Sequence, residues 1–371
     1  MTDKGRFLSM KRIKITALIL CVVMSLAVLT SCAKPVTAME YEGKEVTVNH
    51  YSYWLSLIKS KYVSSANDTA EYWATKYSNG ETYEEKMREI VDYNVKINLV
   101  CLKLFEDMGL TVTAAEEKEI QTALDDLMKP YGSKSKLNAV LANYNMNYDM
   151  LKEVYTIELK VSKVFDALYA EGGQRRIDDE TLDAYYRENY SRLEMIILYD
   201  EVAYEKDENG KPVFDDSTNS YKTVELTDEE KAAKKALADD IMKKLEAGED
   251  FDKLKAEYNE FFDSEKYEYG FFISSNDVSA YSSEMVIAAR QMKIGEVRRL
   301  EEEGAIYIVK RLELTDKPYS NENYLEMFEY ILDYCQQADF NQYMDGLIKG
   351  VTVNDEELGK ISVVDAPLLS Y

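Results

Sequence analysis

The sequence predicts an α+β protein in which helical segments at both ends enclose a central region that contains strands. Amphipathic helix patterns fill most of the first half of the 371-residue chain and return near its end. Between them, apolar runs of strand length occur at residues 193–199 and 305–312, and both are rich in β-branched or aliphatic side chains. A hydrophobic content of 46% permits substantial cores, and a charged content of 31% indicates a soluble surface.

The N-terminus has the layout of a secretory signal. Basic residues precede an apolar run at residues 15–29, which is short for a transmembrane helix. The run leads into Leu29-Thr30-Ser31-Cys32, which resembles a bacterial lipobox. That resemblance implies a lipoprotein signal peptide over residues 1–31, lipidation of Cys32 and a tether at residues 32–37. Two acyl chains on one cysteine would hold the protein on a membrane. An uncleaved anchor with an incidental cysteine is the alternative.

Charge and composition exclude several classes of function. The chain has a net charge of −24, and removal of five basic residues and one acidic residue with the signal peptide would leave −28. Such a surface repels nucleic acid, so we expect no nucleic-acid partner. The single histidine, His50, excludes a serine–histidine triad and a histidine zinc cluster. We expect an exposed or helix-capping role for His50, and neither a metal nor a cofactor.

Two cysteines of the predicted mature chain, Cys101 and Cys335, lie on apolar helical faces. Their number excludes a disulfide framework, and buried free thiols are the expected state. We expect both cysteines in the same helical domain.

The predicted helices of the N-terminal half have clear start and stop signals. The first is capped by Thr47 or Asn49, and Gly109 ends the long second one. Thr113 and Glu116 form a capping box for the helix that follows. The first predicted helix begins near His50. The others are predicted at residues 84–108, 114–129, 134–144, 148–169 and 178–188.

Residues 201–226 form an insertion after the first central strand. Asn209-Gly210 lies between the apolar stretches 202–204 and 213–214, which predicts a hairpin turn because both residues accept positive φ. The acidic residues here only loosely follow the spacing of a calcium loop, since its first Asp and last Glu are absent. A solvated hairpin is therefore the interpretation.

The remaining central and C-terminal helices are also predicted from caps, breakers and apolar stripes. A second capping box, Thr227 with Glu230, begins a helix that is expected to bury Ala233, Leu237, Ile241 and Leu245. A later apolar helix ends at Lys293, where Gly295 breaks it, and an extended run begins at Val297. The last long helix, at residues 323–347, carries an apolar stripe that consists of Leu325, Phe328, Leu332 and Phe340.

The central region resembles the parvulin family of peptidyl-prolyl isomerases. The matching positions of the last helix, turn and final strand are Ala288, Ala289, Gly295, Glu296, Val297, Ile308, Val309 and Lys310. The resemblance implies a parvulin-like α/β domain whose active-site positions correspond to Met195, Phe261 and Tyr307. The family has histidines at the first and third of these and a cysteine or aspartate at the second. This chain therefore has no assigned catalytic residue, and enzyme activity stays open.

The resemblance also implies a peptide-binding pocket formed by apolar residues that lead into the last helix. These residues correspond to Tyr281 and Met285. Ordinary core packing is the alternative for both residues. The sequence thus predicts that the apolar part of a peptide-binding cleft is kept while its polar part is lost.

The order of segments, with a lipobox in front, resembles the PrsA and SurA families of extracytoplasmic foldases. It implies a split helical domain at residues 38–190 and 318–371, with the parvulin-like domain at 191–317 inserted between. The implied function is that of a membrane-anchored chaperone for unfolded or partly folded secreted polypeptides. An active prolyl isomerase is one alternative. A solute-binding lipoprotein is another, although alternating βα units are lacking.

Overall fold

A computed structural model of the chain describes residues 35–208, 210–262, 267, 269–275, 281–302, 304–317 and 324–369. The predicted signal peptide and Cys32 lie outside the described residues, as does Asn209 of the predicted turn. Within the described part, no helix has the length and apolar character needed to cross a membrane.

Helices and strands are both abundant, and the predicted α+β class is confirmed. The helices are α1 Val48–Tyr62, α2 Ala70–Ala74, α3 Tyr83–Asp107, α4 Ala114–Met128, α5 Lys134–Leu141, α6 Tyr148–Tyr169, α7 Asp179–Asn189, α8 Asp228–Glu246, α9 Phe251–Tyr258, α10 Ser283–Gln291, α11 Leu325–Leu347 and α12 Asp355–Leu358. The strands are β1 Thr37–Tyr41, β2 Lys44–Thr47, β3 Tyr190–Tyr199, β4 Val202–Tyr204, β5 Phe214–Asp215, β6 Ser220–Tyr221, β7 Thr223–Glu225, β8 Phe271–Ser274, β9 Val297–Glu302, β10 Ala305–Leu312 and β11 Thr352–Val353.

The chain divides into two compact units, Met1–Arg176 with Gln336–Tyr371, and Ile177–Cys335. The expected boundaries lay instead at 190/191 and 317/318. The difference arises because α7 and the first part of α11 pack together next to the start of β3. Their shared cluster contains Leu182, Tyr186, Tyr190, Ile331 and Cys335.

This division overturns one expectation about the cysteines. Cys101 is buried in the first unit, whereas Cys335 is buried in the second. Both are free thiols. The prediction that they share a domain is therefore wrong, because α11 contributes its first half to one unit and its second half to the other.

The first unit is a helical core closed by a small antiparallel sheet in the order β11-β1-β2. Along α3, Met87, Val91, Val95 and Leu99 recur at every fourth position and are all buried. This regular spacing is the amphipathic pattern that predicted the helix. The predicted capping box of α4 is present, and α3 has another, formed by Thr82 and Glu85.

A buried charge and backbone contacts attach the C-terminal segment to the first unit. Lys59, which is 0% exposed, places its Nζ 2.9 Å from Asp68 Oδ1. The same Nζ donates hydrogen bonds to the carbonyl oxygens of Val364 (3.1 Å) and Ala366 (2.7 Å). Arg88 donates in the same way to the carbonyl oxygens of Leu358 and Ile361. The final residues are therefore part of the folded unit.

His50 is 6% exposed, so the exposed alternative of its expected role is wrong, and its backbone N–H takes part in the cap of α1 by donating to Thr47 Oγ1. Its Nδ1 lies 3.1 Å from Thr47 Oγ1, and Thr47 is the N-cap of α1 as predicted. Burial arises because His50 sits in the first turn of α1, near Trp54, with ring centroids 6.0 Å apart.

The second unit is built on a four-stranded antiparallel sheet in the order β8-β3-β10-β9. Helices α8 and α9 cover one face, where Ile196, Leu198, Ile306 and Ile308 are buried. Helix α10 packs on the other face. Between α10 and β9, Gly295 adopts φ +81°, a conformation that favours glycine, which agrees with its predicted role as a breaker.

Three local expectations for this unit need correction. In the insertion, the described residues beside the predicted turn do form a hairpin, with an antiparallel bridge between Lys206 and Pro212, but the flanking stretch 202–204 pairs with β7 and not with 213–214. In α8, Ala233 is exposed and Ala238 is buried in its place, because the buried face follows the helical twist. In α11, Leu325 is 53% exposed, since it lies in the first turn of the helix.

Candidate functional site

The positions singled out by the sequence converge on the α10 face of the four-stranded sheet. Strand periodicity directs alternate side chains of β3 to this face, beginning with Leu193 and Met195. The antiparallel register places Val309 opposite Met195 and Tyr307 opposite Ile197. Met195 and Tyr307 are therefore diagonal neighbours on one face. Phe261, Tyr281 and Met285 belong to the same apolar cluster.

Within this cluster the five predicted residues differ in burial. Met195 and Met285 are each 2% exposed and form part of the floor. Phe261, Tyr281 and Tyr307 are half-buried and pack against that floor. Methionine side chains adapt their shape easily, so the floor can adjust to what packs on it. The half-buried rings are the members of the set that solvent reaches.

Helix α10 is held over the sheet by its cap. Ser282 is the N-cap, and its Oγ accepts a hydrogen bond from the backbone N–H of Met285 at 3.0 Å. The hydroxyl of Ser282 in turn donates to Glu302 Oε1 on β9. These contacts fix the start of α10 and the position of the buried Met285.

Aromatic rings line one side of the cluster. Phe261 lies 5.6 Å from Tyr267 and 5.8 Å from Phe271 between ring centroids, in edge-on arrangements. Tyr267 and Phe271 are stacked at 4.5 Å. The backbone leading to Phe271 passes through Gly270 at φ +84°, where an added Cβ would lie 2.6 Å from the carbonyl oxygen of Leu193. A side chain there would push β8 away from β3.

The segment before Phe261 closes part of one edge of β3. The side-chain oxygen of Asn259 accepts a hydrogen bond from the backbone N–H of Ile197 at 2.9 Å. The backbone N–H of Glu260 donates to the carbonyl oxygen of Ile197 at 2.9 Å, and Glu260 Oε2 accepts from the N–H of Tyr199 at 2.8 Å. This contact was not predicted from the sequence, where the Asn259-Glu260 pair directly after a helix is its available signal.

The polar groups of the site are mainly phenolic hydroxyls. Burial raises the pKa of Tyr307, and the nearby Glu302 carboxylate and Tyr204 raise it further. Burial also raises the pKa of Tyr199, with additional contributions from Tyr204, Tyr307 and Glu260. Both hydroxyls therefore stay protonated at neutral pH and can donate hydrogen bonds. Met195 has no side-chain proton to donate.

A separate cavity of 180 Å³ lies in the first unit. Its lining includes Tyr51, whose hydroxyl donates to Asp92 Oδ1 at 2.5 Å. Burial raises the pKa of Asp92. The guanidinium of Arg88, another lining residue, already binds the C-terminal carbonyls described above. Tyr51, Asp92 and Arg88 are thus engaged within the protein.

Comparisons with known proteins give weak similarities over long stretches. The family description "bacterial trigger factor protein (TF) C-terminus" matches residues 58–170. A search of curated proteins finds no match. Among solved structures, PrsA from Bacillus subtilis is 19% identical, with 78% of this chain and 92% of that chain covered and a TM-score of 0.23.

Two further solved structures have similar values. The peptidylprolyl isomerase PrsA from Bacillus cereus is 19% identical, with 76% of this chain and 94% of that chain covered and a TM-score of 0.28. One of two SurA-like chaperones from Campylobacter jejuni is 11% identical, with 86% of this chain and 98% of that chain covered and a TM-score of 0.28. The chain is thus similar to proteins of the PrsA and SurA types.

Proposed function

We propose that this protein is a lipid-anchored extracytoplasmic chaperone that holds unfolded or partly folded secreted polypeptides. In this proposal the four-stranded unit binds polypeptide segments and has little prolyl-isomerase activity. Cys32 carries the lipid anchor, and the helical unit keeps the client chain from aggregating. The trigger factor match at residues 58–170, all within the helical unit, supports a role in handling polypeptides.

One observation carries the proposal. The half-buried rings of Phe261, Tyr281 and Tyr307 lie together on an apolar floor that contains Met195 and Met285. Aromatic rings offer a large contact area at low conformational cost, and their hydroxyls tolerate water when no client is bound. Such a surface suits apolar segments of many sequences.

The same residues argue against efficient isomerisation. The barrier to rotation about a peptide bond is about 18–20 kcal/mol, and an enzyme must stabilise the twisted amide to lower it. Methionine at position 195 supplies no hydrogen bond for this purpose. Of the two positions that have histidine in the family, only position 307 keeps a donor, the protonated Tyr307 hydroxyl, which is the basis of the alternative that the unit is an active isomerase.

The test compares client holding with isomerisation. In an aggregation assay on a chemically denatured protein, we expect the purified chain without residues 1–31 to slow aggregation. Tyr281→Ser combined with Met285→Ser should weaken this protection, because it removes one ring and part of the floor. Tyr307→Phe should leave the protection unchanged, since it keeps the ring and removes only the hydroxyl.

Controls separate binding from folding. Burial of Met285 means that its replacement by Ser costs about 2–5 kcal/mol of stability, as for other large-to-small core changes. Unfolding curves for Tyr281→Ser alone and for Met285→Leu therefore accompany the double variant. Ile287→Ser, on the 54% exposed outer side of α10, is the matched surface control.

A proline tetrapeptide assay decides the enzymatic alternative. We expect rates close to the uncatalysed exchange, which takes roughly tens to hundreds of seconds. Acceleration equal to that of a histidine-bearing parvulin, lost in Tyr307→Phe, would make the protein an isomerase and contradict the non-catalytic proposal.

A further inference from the structure

The insertion, residues 201–226, contains two nested pairs of short antiparallel strands in the second unit. Its outer pair, β4 and β7, joins Val202–Tyr204 to Thr223–Glu225, and its inner pair places Phe214 opposite Tyr221. Backbone hydrogen bonds from Glu205 to Lys222 and from Val213 to Glu205 continue this pairing. The described residues of the insertion therefore form an extension of the sheet unit.

A row of aromatic rings connects this hairpin with the candidate site. We call it the aromatic track, and its members are Phe214, Tyr221, Tyr204, Phe262 and Phe261. Phe214 and Tyr221 are 5.2 Å apart between ring centroids, and Tyr221 and Phe262 are 4.7 Å apart. Phe262 lies 6.2 Å from Phe261, the half-buried member of the site. Each ring is within ordinary aromatic contact distance of the next.

The outer end of the aromatic track is exposed. Phe214 is 46% exposed and Tyr221 is 38% exposed. Tyr204 already makes edge-on contacts with Tyr199 (5.1 Å) and Phe262 (5.3 Å), which connect the hairpin to the sheet unit. The contacts of Tyr204 thus attach the hairpin to the sheet unit, while Phe214 and Tyr221 leave apolar surface uncovered.

The insertion that carries the outer rings is acidic. The insertion contains seven acidic residues and three lysines, a net charge of −4 over 26 residues. Glu205, Glu208 and Asp216 are exposed. Aromatic faces attract cations, and nearby carboxylates add to that attraction over distances of about 10 Å at moderate salt. The surface therefore complements apolar residues that have lysine or arginine beside them.

We propose that the aromatic track is a second polypeptide-binding surface, continuous with the candidate site. It takes an extended client segment in which aromatic or aliphatic side chains alternate with lysine or arginine. The inference rests on the proposed client-binding function and extends it, because it names the class of segment that is preferred. The candidate site holds the apolar part of the segment, and the insertion selects for positive charge.

Fluorescence anisotropy with labelled peptides tests this inference on the chain without residues 1–31. The probe is an extended peptide in which lysines alternate with phenylalanines and leucines. One control peptide has glutamate in place of each lysine, and another has serine in place of each apolar residue. We expect the first peptide to bind best, and its affinity to fall as salt rises.

Two variants locate the binding. Phe214→Ser combined with Tyr221→Ser should weaken binding of the lysine peptide about fivefold or more, given the usual contribution of aromatic contacts. A charge variant, Glu205→Gln with Glu208→Gln and Asp216→Asn, keeps every ring and should weaken the lysine peptide without weakening the glutamate peptide. Its matched control changes Glu117, Glu119 and Asp252, which are exposed acidic residues outside the insertion, to the corresponding amides.

The outcomes are distinct. If the unaltered protein binds none of the peptides and fails to slow aggregation, the proposed function itself fails. If it binds the lysine peptide and both insertion variants bind it equally well, the inference is overturned while the proposed function stands. Should the ring variant lose its fold, as circular dichroism would reveal, the charge variant decides alone.

Discussion

Among single residues, His50 shows most directly how burial of a titratable group makes the stability of the folded state depend on pH. Its ring is buried in the first turn of α1, with Nε2 3.3 Å from Glu153 Oε2. Burial lowers the pKa of His50, and the exposed Glu153 carboxylate partly opposes that shift. The net direction is downward, so the folded protein holds this histidine neutral over a range in which the unfolded chain protonates it.

We expect this histidine to make the folded state less stable as the pH falls. The contribution of His50 to stability is fully present at pH values above the ordinary histidine pKa of about 6.5. It declines below that pH, because the unfolded chain then binds a proton that the folded chain does not bind. For one group the slope cannot exceed about 1.4 kcal/mol per pH unit. Urea unfolding of the protein and of His50→Gln between neutral and mildly acidic pH measures the difference.

Glu153→Gln provides the matched comparison for that experiment. Removing the carboxylate takes away the contribution that raises the pKa of His50, so the folded-state value should drop further. The stability of Glu153→Gln should then fall more steeply with acid than that of the parent protein. Identical pH profiles for the parent and His50→Gln would rule out the histidine as the cause.

At the scale of elements, the C-terminal segment depends on one buried ammonium group. Lys59 on α1 contacts Asp68 and two carbonyl oxygens of the segment, and its Nζ lies 5.4 Å from the centroid of the Trp73 ring. Trp73 donates its indole N–H to the same Asp68 at 2.6 Å. These groups form a polar network inside an otherwise apolar core.

We therefore expect Lys59→Met to destabilise the first unit by about 3–5 kcal/mol, since removing one partner of a buried pair leaves the other uncompensated. Urea unfolding measures this loss. Limited proteolysis should also show earlier cleavage after residue 358, where the segment loses its attachment. Lys152→Met, at an exposed position of α6, is the control and should be close to neutral. Equal stability of Lys59→Met and the parent would contradict the role assigned to this network.

Sequence reasoning succeeded where the signal is local. Strand β10 was predicted with its observed bounds, and the capping boxes at Thr113 and Thr227 begin the helices as expected. It failed where partners are distant along the chain. The turn chemistry at residues 209–210 could not reveal that Val202–Tyr204 pairs with Thr223–Glu225. A buried lysine such as Lys59 is equally invisible, because its partners lie up to 307 residues away.

For the whole molecule, the separation into two units determines which functions can be tested independently. The first unit is completed by residues after Gln336, so its folding requires both ends of the chain. Arg175 and Asp339 illustrate this requirement, with two hydrogen bonds of 2.7 and 2.8 Å between guanidinium and carboxylate. Truncation within the C-terminal stretch should thus affect the helical unit first.

The candidate site could be predicted from sequence only as a set of positions. The resemblance named Met195, Phe261, Tyr281, Met285 and Tyr307, and these residues share one cluster. Their roles were not predictable from residue type, because Tyr281 and Met285 suit core and pocket equally. Burial distinguishes them, with Met285 in the floor and Tyr281 half-buried.

At this scale we also predict that Cys32 anchors the protein to a membrane. Cys32→Ala should release the protein into the soluble fraction and block processing of the signal peptide, because acylation of the thiol precedes cleavage in lipoproteins of this kind. Fractionation of cells that express the tagged chain, with a label for acyl chains, measures both effects. Retention in the membrane fraction with unchanged processing would contradict the prediction; Cys101→Ala, a buried thiol, is the control.

The closed edge of β3 has a consequence for how a client is held. The backbone groups of Ile197 and Tyr199 are already bonded to Asn259 and Glu260, and the outer strand β9 has charged side chains at four of its six positions. Free, flat edges invite other chains to add strands, and charges discourage this. At these two edges a client would be bound through its side chains and not by adding a strand. These two edges thereby do not offer a template for the aggregates that the protein is proposed to prevent.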